Sequence, residues 1–291
     1  MRINRRTFIG AALGVCCCGV RASAAESVDD FVCLTEQIPT DGIDGLPAGL
    51  SDLLFQGAQP LQVTPFDNTG RSAVFKPFQL MLKADAWRAV DSLPGGAPGR
   101  LRIGVHFQDG TAEQHEMVRA IASEWSASEA APVDFVFGSD STRHIRVRFN
   151  PRSKNEAGQW SYVGRRAKRY GASEPTLMLE KCTRSTILHE FGHALGLRHE
   201  QSHPFSNLDW NRQAVYRYYA DHYQWARPRV DSQIFKVYSA SYMCKGAPDF
   251  DHSSVMIYPI KPEFLNSGTG IALNDHLSSG DKACVNRMYG A

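Results

Sequence analysis

Between Leu101 and Phe107, apolar Leu101, Ile103, Val105 and Phe107 alternate with Arg102, Gly104 and His106, the two-residue period of a half-buried strand. Asp109-Gly110 turns the chain, and from Thr111 the period changes. Met117, Val118, Ile121 and Trp125 fall at i, i+1, i+4 and i+8, one stripe of a helix. Alternation returns at Val133, Phe135 and Phe137, and again at Ile145, Val147 and Phe149, where His144, Arg146 and Arg148 face the other way. An order of strand, helix, strand and strand predicts a sheet covered by helices, an α+β or α/β unit. Further helices are expected at 184–195, with Thr183 or Ser185 as cap and Gly196 as stop, at Asn211–Asp221, and from Leu277 through Val285 and Met288 to Tyr289. The tyrosines of the second of these, Tyr216, Tyr218 and Tyr219, are expected to pack. Before residue 98, Pro and Gly recur (Pro39, Gly42, Gly45, Pro47, Gly57, Pro60) and no long period survives, although Ala73–Leu82 could contribute strands. The turn-rich run from Leu93 to Gly99 marks a boundary between an N-terminal segment, 25–98, and a main domain, 99–291.

A chain of 291 residues can bury a sizeable core in one large domain and still carry a smaller segment. Its net charge is +2, and the first 24 residues hold Arg2, Arg5, Arg6 and Arg21 without an acid, so the remainder is at about −2. That balance argues against nucleic acid or an anionic membrane as the main partner. No apolar run reaches the ~20 residues of a membrane span. The same 24 residues read as an export signal. Asn4-Arg5-Arg6-Thr7-Phe8 resembles the twin-arginine motif of bacterial export, a short apolar stretch follows, and Ala22-Ser23-Ala24 has the small-x-small form of a cleavage site. A secreted or periplasmic protein beginning at Ala25 is expected. Cys16, Cys17 and Cys18 would leave with the signal. Cys33, Cys182, Cys244 and Cys284 would remain, an even number that suggests two disulfides with three possible connectivities.

The chemistry is concentrated in His189-Glu190-Phe191-Gly192-His193-Ala194-Leu195-Gly196-Leu197-Arg198-His199-Glu200. His189 and His193, four apart, share one face of a helix and can reach one zinc ion at about 2.0–2.1 Å. Glu190, beside the first ligand, can reach a water at the metal without ligating it. On a continued helix His199 would point away, but Gly196 can take the left-handed conformation that turns the chain back and brings His199 in as a third ligand. Three histidines with a fourth position left for water are the pattern of a catalytic site rather than a structural one. His203, His222, His252 and His276 are expected to be solvated or structural.

This motif resembles HExxHxxGxxH of the metzincin metalloproteases, and Glu200 after the third histidine is similar to the astacin family. Two further stretches carry the same resemblance. Trp160-Ser161-Tyr162-Val163-Gly164-Arg165 looks like the Trp-Ser-x-Val-Gly-Arg segment, and Ser254-Val255-Met256-Ile257-Tyr258 looks like the Met-turn. The resemblance covers about 100–291. It implies an α+β metzincin-type fold, a twisted sheet with helices above an active-site cleft and a less regular lower subdomain. It also implies a zinc-dependent endopeptidase acting as a monomer on protein or peptide substrates, with one catalytic Zn²⁺ on His189, His193 and His199. Glu190 would then be the general base, Tyr258 the donor to the oxyanion, and Glu200 an anchor for a processed N-terminus. Thr176–Glu180 would be the edge strand above the cleft, where an extended peptide could add itself. Three departures stand out. Gln159 replaces the cysteine that family members pair with one near Cys182, Ile257 replaces the usual histidine, and Ala58 follows Phe55-Gln56-Gly57 where astacin prosegments place an aspartate on the zinc. Residues 25–98 are therefore expected to be an N-terminal extension or a prosegment.

Overall fold

The computed structural model describes residues 33–35, 81, 84–126, 132–140, 143–153, 156–238 and 249–290. The expected signal at 1–24, the Phe55–Ala58 stretch, Ala73–Leu80 and Cys244 lie outside these. Among the described residues the architecture is α+β, with one mixed sheet of six strands in the order β1-β5-β6-β4-β2-β3.

The alternation at 101–107 becomes β2 (Leu101–Phe107), with Ile103 and Val105 buried and both ends half-buried. β2 lies parallel between β3 (Val133–Phe137) and β4 (Ile145–Arg148). Helix α1 (Ala112–Ala122) starts at Thr111, whose hydroxyl accepts from the Gln114 N–H while the Gln114 side chain accepts from the Thr111 N–H. Val118 and Trp125 are fully buried, but Met117 is 43 % exposed and does not belong to the expected stripe. It sits about 100° round the helix from Val118, and the helix tightens into a 3-10 turn at Ser123–Ser126, which brings Trp125 under the sheet.

On β4 the alternate face is not solvent. Arg146 and Arg148 are 3 % and 1 % exposed. The Arg146 guanidinium donates to the carbonyls of Arg143, Ala167, Tyr170 and Glu174, and Arg148 donates to Glu156 and to the Ser173 carbonyl. Buried cations are tolerated when every donor has such an acceptor.

The strand expected at Thr176–Glu180 forms, but it is not an edge. β6 (Leu177–Leu179) is parallel to β4 on one side and antiparallel to β5 (Gln159–Ser161) on the other, so it is interior. Its three residues are apolar and fully buried, as a strand covered on both faces requires. β5 lies outside it, and β1 (Cys33–Thr35) is added beyond β5 in parallel, Cys33 opposite Gln159.

Helix α2 (Arg184–Leu195) packs under the sheet with α1, and together with Trp87, Met256 and Val285 they close the main core. A second, aromatic core lies after Gly196, around α3 (Arg212–Tyr223), α4 (Arg227–Gln233) and residues 257–273. Tyr219 is buried there, and Tyr216 and Tyr218 pack against it. This part has helices and isolated bridges but no sheet among the described residues, so it is the less regular half. The closing helix α5 (Ser279–Tyr289) returns to the main core through Cys284 and Val285.

The turns at 93–99 are present, with positive φ at Gly95, Gly96 and Gly99. The chain before them nevertheless packs onto the main core. Trp87 donates its indole N–H to the Ala194 carbonyl at 2.8 Å, Met81 bridges to Leu197, and the Asp91 carboxylate meets Arg165 and Lys168.

Candidate active site

α2 presents the first two histidines because its start and stop are both fixed. Thr183, not Ser185, is the cap, accepting from Thr186 N–H, and Gly196 ends the helix at φ 107°, a value that an L side chain resists. The Gly196 and Leu197 N–H groups then close on the carbonyls of His193 and Gly192, reversing the chain. Two buried indoles brace the helix: Trp125 donates to the Leu188 carbonyl and Trp87 to that of Ala194. Gly192 faces Met256 and Trp125 with no room for a Cβ, so the helix lies directly on the Met256 side chain.

His189, His193 and His199 are 0 %, 0 % and 3 % exposed, and their ligand atoms all lie within 4.8 Å of one another. His189 Nδ1–H donates to the Val255 carbonyl and His193 Nδ1–H to that of Leu197, each at 2.8 Å. These bonds fix both tautomers with the Nε2 lone pair turned inward. Nε2 of His193 lies 3.0 Å from Nε2 of His199. Burial holds the His189 imidazole down at about 4. It also holds His193 and His199 well below their ordinary value, with repulsion from His189 and Arg198 adding to it in both and from His193 in His199. All three are neutral at pH 7, the form that ligates a metal. Three neutral imidazoles converging in a buried site suit zinc, and the triad could hold it.

Glu190 is fully buried beside His189. The Tyr258 ring is 4.4 Å from that of His199 and 6.1 Å from that of His189. The stretch 254–258 is bound to the site from several sides: the Glu200 N–H donates to the Met256 carbonyl, and the Tyr258 N–H donates to Gln201 Oε1. The five residues singled out in the sequence are thus brought together. Burial raises the Glu200 carboxyl well above the ordinary range, and its Oε1 accepts from the Asp251 N–H. Of the other histidines, His203 is buried and accepts at Nδ1 from the Phe205 N–H, while His222, His252 and His276 are exposed.

This geometry agrees with the comparisons with known proteins. The family model described as Astacin (peptidase family M12A) matches residues 101–290. The chain belongs to the astacin family. Among solved structures, one of myroilysin is similar at 30 % identity and a TM-score of 0.61, covering 72 % of this chain and 98 % of that one. The hatching-enzyme zinc-protease high choriolytic enzyme 1 of the medaka Oryzias latipes is aligned at 16 % identity and a TM-score of 0.48, covering 71 % of this chain and 98 % of that one. The nematocyst expressed protein 6 of Nematostella vectensis is 26 % identical over 165 residues, which are 49 % of this chain and 53 % of that protein, so the match spans about half the length of this curated relative. Within the astacin frame two of the departures noted above have visible outcomes. Ile257 is buried in the second core, and Cys182 is a free thiol that burial pushes up to about 11.

Several residues of the site were not legible as such: Asp85, Trp87, Arg198, Gln201, Ser254 and Asp281. Ser254 and Arg198 fall inside the two motif stretches without a role assigned to them there, and Ser278-x-x-Asp281 has the spacing of a capping box. Asp85 accepts from both Arg166 and Arg198, and its backbone carbonyl accepts from the Arg165 N–H.

Proposed function

We propose that the chain is an exported bacterial zinc endopeptidase. The observation that carries this reading is the convergence of three buried, neutral imidazoles beside a buried glutamate and a tyrosine ring. His189, His193 and His199 would hold one zinc ion, which when bound supplies Lewis acidity for attack of water on a peptide carbonyl. Glu190 takes the proton of the attacking water and passes it to the leaving amine. Tyr258 donates a hydrogen bond to the oxyanion as charge develops on it. All of these groups come from one chain, which fits a monomer acting on protein or peptide substrates.

An extended substrate would pair with β5, which becomes the outer strand of the main sheet once β1 is removed. In this structure β1 of the chain itself lies along β5. That placement supports residues 25 to about 80 as a prosegment that blocks the cleft edge until it is cut. The activating cut is expected before Met81 rather than near residue 98, because Asp85, Trp87 and Asp91 are built into the catalytic core. Glu200 is available for the family's N-terminal anchor, since among the described residues its Oε2 has no hydrogen-bond partner. Export is supported by the paired Arg5-Arg6, the short apolar stretch after them and the small-x-small form of Ala22-Ser23-Ala24.

The test is to incubate the purified protein with casein and a peptide library, with and without chelator, and to sequence its own N-terminus. Chelator-sensitive cleavage that accompanies loss of the first ~80 residues is expected. Intact substrate throughout, with zinc bound and the N-terminus processed, would leave a zinc-binding protein without turnover.

A further inference from the structure

Asp281 does more than its place in the helix requires. A cap needs one acceptor, and the Asp281 carboxylate, in the first turn of α5, accepts from the Ser278 N–H at 2.9 Å in the capping box. It also accepts from the Val255 N–H at 3.0 Å and from the Ser254 hydroxyl at 2.9 Å, groups 26 and 27 residues back in the chain. Because the Ser254 hydroxyl gives its proton to Asp281, its lone pair faces the other way and accepts from the Met256 N–H at 2.8 Å. That N–H belongs to the Val255–Met256 peptide group, and the carbonyl of the same group accepts from His189 Nδ1–H at 2.8 Å. The result is an unbroken line of donors and acceptors: carboxylate, hydroxyl, peptide, imidazole.

We propose that Asp281 and Ser254 are positioning residues for the ligand His189, acting through the Val255–Met256 peptide. The inference rests on the zinc reading of the site. A peptide whose N–H is bound by a hydroxyl that is itself bound by a carboxylate has a more strongly accepting carbonyl, since bonds in a chain polarise one another in a low dielectric. The stronger acceptor fixes the His189 ring and tautomer and raises the basicity of Nε2, the effect that groups behind a metal ligand have generally. Asp281 and Ser254 are both fully buried, so water does not dilute the effect. Burial raises the Asp281 carboxyl to about 6 against the bonds from Val255, Ser278 and Ser254, and it is ionised at pH 7.5. A buried ionised carboxylate at the third helical position is a costly choice for a reach-back bond to Ser278 that a neutral acceptor could make. The same bonds also hold Met256 against Gly192 under the histidines.

Ser254→Ala cuts the line at its centre and leaves the Asp281 bonds to Val255 and Ser278 in place. Zinc affinity of the full chain, measured at pH 7.5 by competition with a chromophoric chelator, is expected to fall about tenfold, at the low end for groups behind a ligand. The visible absorption of the Co²⁺-loaded protein should shift as well. Asp281→Asn should act in the same direction. The double variant should bind zinc no more weakly than the weaker single one, because both changes break one line. The melting midpoint of the metal-free protein reads the structural share separately. Should Ser254→Ala lower only that midpoint, with zinc affinity within twofold of wild type and the Co²⁺ spectrum unchanged, the proposal is overturned. If Asp281→Asn does not fold, the Ser254→Ala measurements decide alone. A wild-type chain that binds no zinc would remove the site reading and this proposal together, which separates that failure from failure of the line itself.

Discussion

Glu190 and Tyr258 divide the proposed chemistry between a proton carrier and an oxyanion donor, and each can be removed almost without changing shape. Tyr258 is 4 % exposed and its ring lies against His199, so a phenylalanine would keep the packing. In the processed enzyme, Tyr258→Phe is expected to lower kcat by on the order of 10²-fold while KM and zinc content hardly change, because the contact forms mainly in the transition state. A loss of less than about threefold in steady-state kinetics would leave Tyr258 only a packing role. His193→Ala removes a ligand whose Nδ1 is tied to Leu197, and metal analysis should find zinc largely lost from that variant. Full occupancy would refute the triad. The proposed roles of His193 and Glu190 were readable in the sequence because a catalytic zinc needs a fixed local spacing, which survives as a motif, and that of Tyr258 through the resemblance of 254–258 to the Met-turn. Asp281 and Ser254 were not, because bonds spanning 26 residues leave no pattern in a line of letters.

α2 is the element on which the site is built, and its bounds and stop followed from Gly196 and the residues before it, while the cap stayed open between Thr183 and Ser185 until the structure chose Thr183. Its depth did not. Gly192 looks like an ordinary weak helix former, yet it is the point where the helix touches Met256 and Trp125. Gly192→Ala should cost on the order of 1–3 kcal/mol in chemical denaturation, because overpacking there outweighs the gain in helix propensity. A more stable variant would show that Met256 can move aside. β2, β3 and β4 were legible from alternation, but β1 and β5 were not, and β6 was misplaced. A run of three buried apolar residues does not say which neighbour lies outside it, and that depends on how β5 pairs.

At the scale of the molecule, the segment 84–91 was read as lying before the catalytic domain, because turns at 93–99 separate it from the regular pattern. Its polar anchors could not be seen, since they join it to residues 70 and more positions away. Asp91 is the clearest of them. Burial pushes its carboxyl up, but hydrogen bonds from Lys168, Arg165 and the Arg88 N–H outweigh this and hold it at about 2, below the ordinary 3.8. A depressed carboxyl contributes stability that is present above about pH 4 and lost as pH falls through about 2. Asp91→Asn should therefore lower unfolding free energy at pH 6 by on the order of 1–2 kcal/mol and flatten its decline between pH 4 and 2. An unchanged pH profile would deny the anchor. The same packing predicts that a chain shortened to begin at residue 81 unfolds cooperatively, whereas one beginning at 99 does not, since the second leaves Arg198, 1 % exposed, without Asp85. The zinc peptidase reading as a whole is tested most directly by Glu190→Gln in the processed enzyme, with zinc content and casein cleavage measured on the same samples. Wild-type zinc content is expected, with cleavage reduced at least about 10²-fold, the usual worth of a general base. Undiminished cleavage by the zinc-loaded variant would contradict that reading.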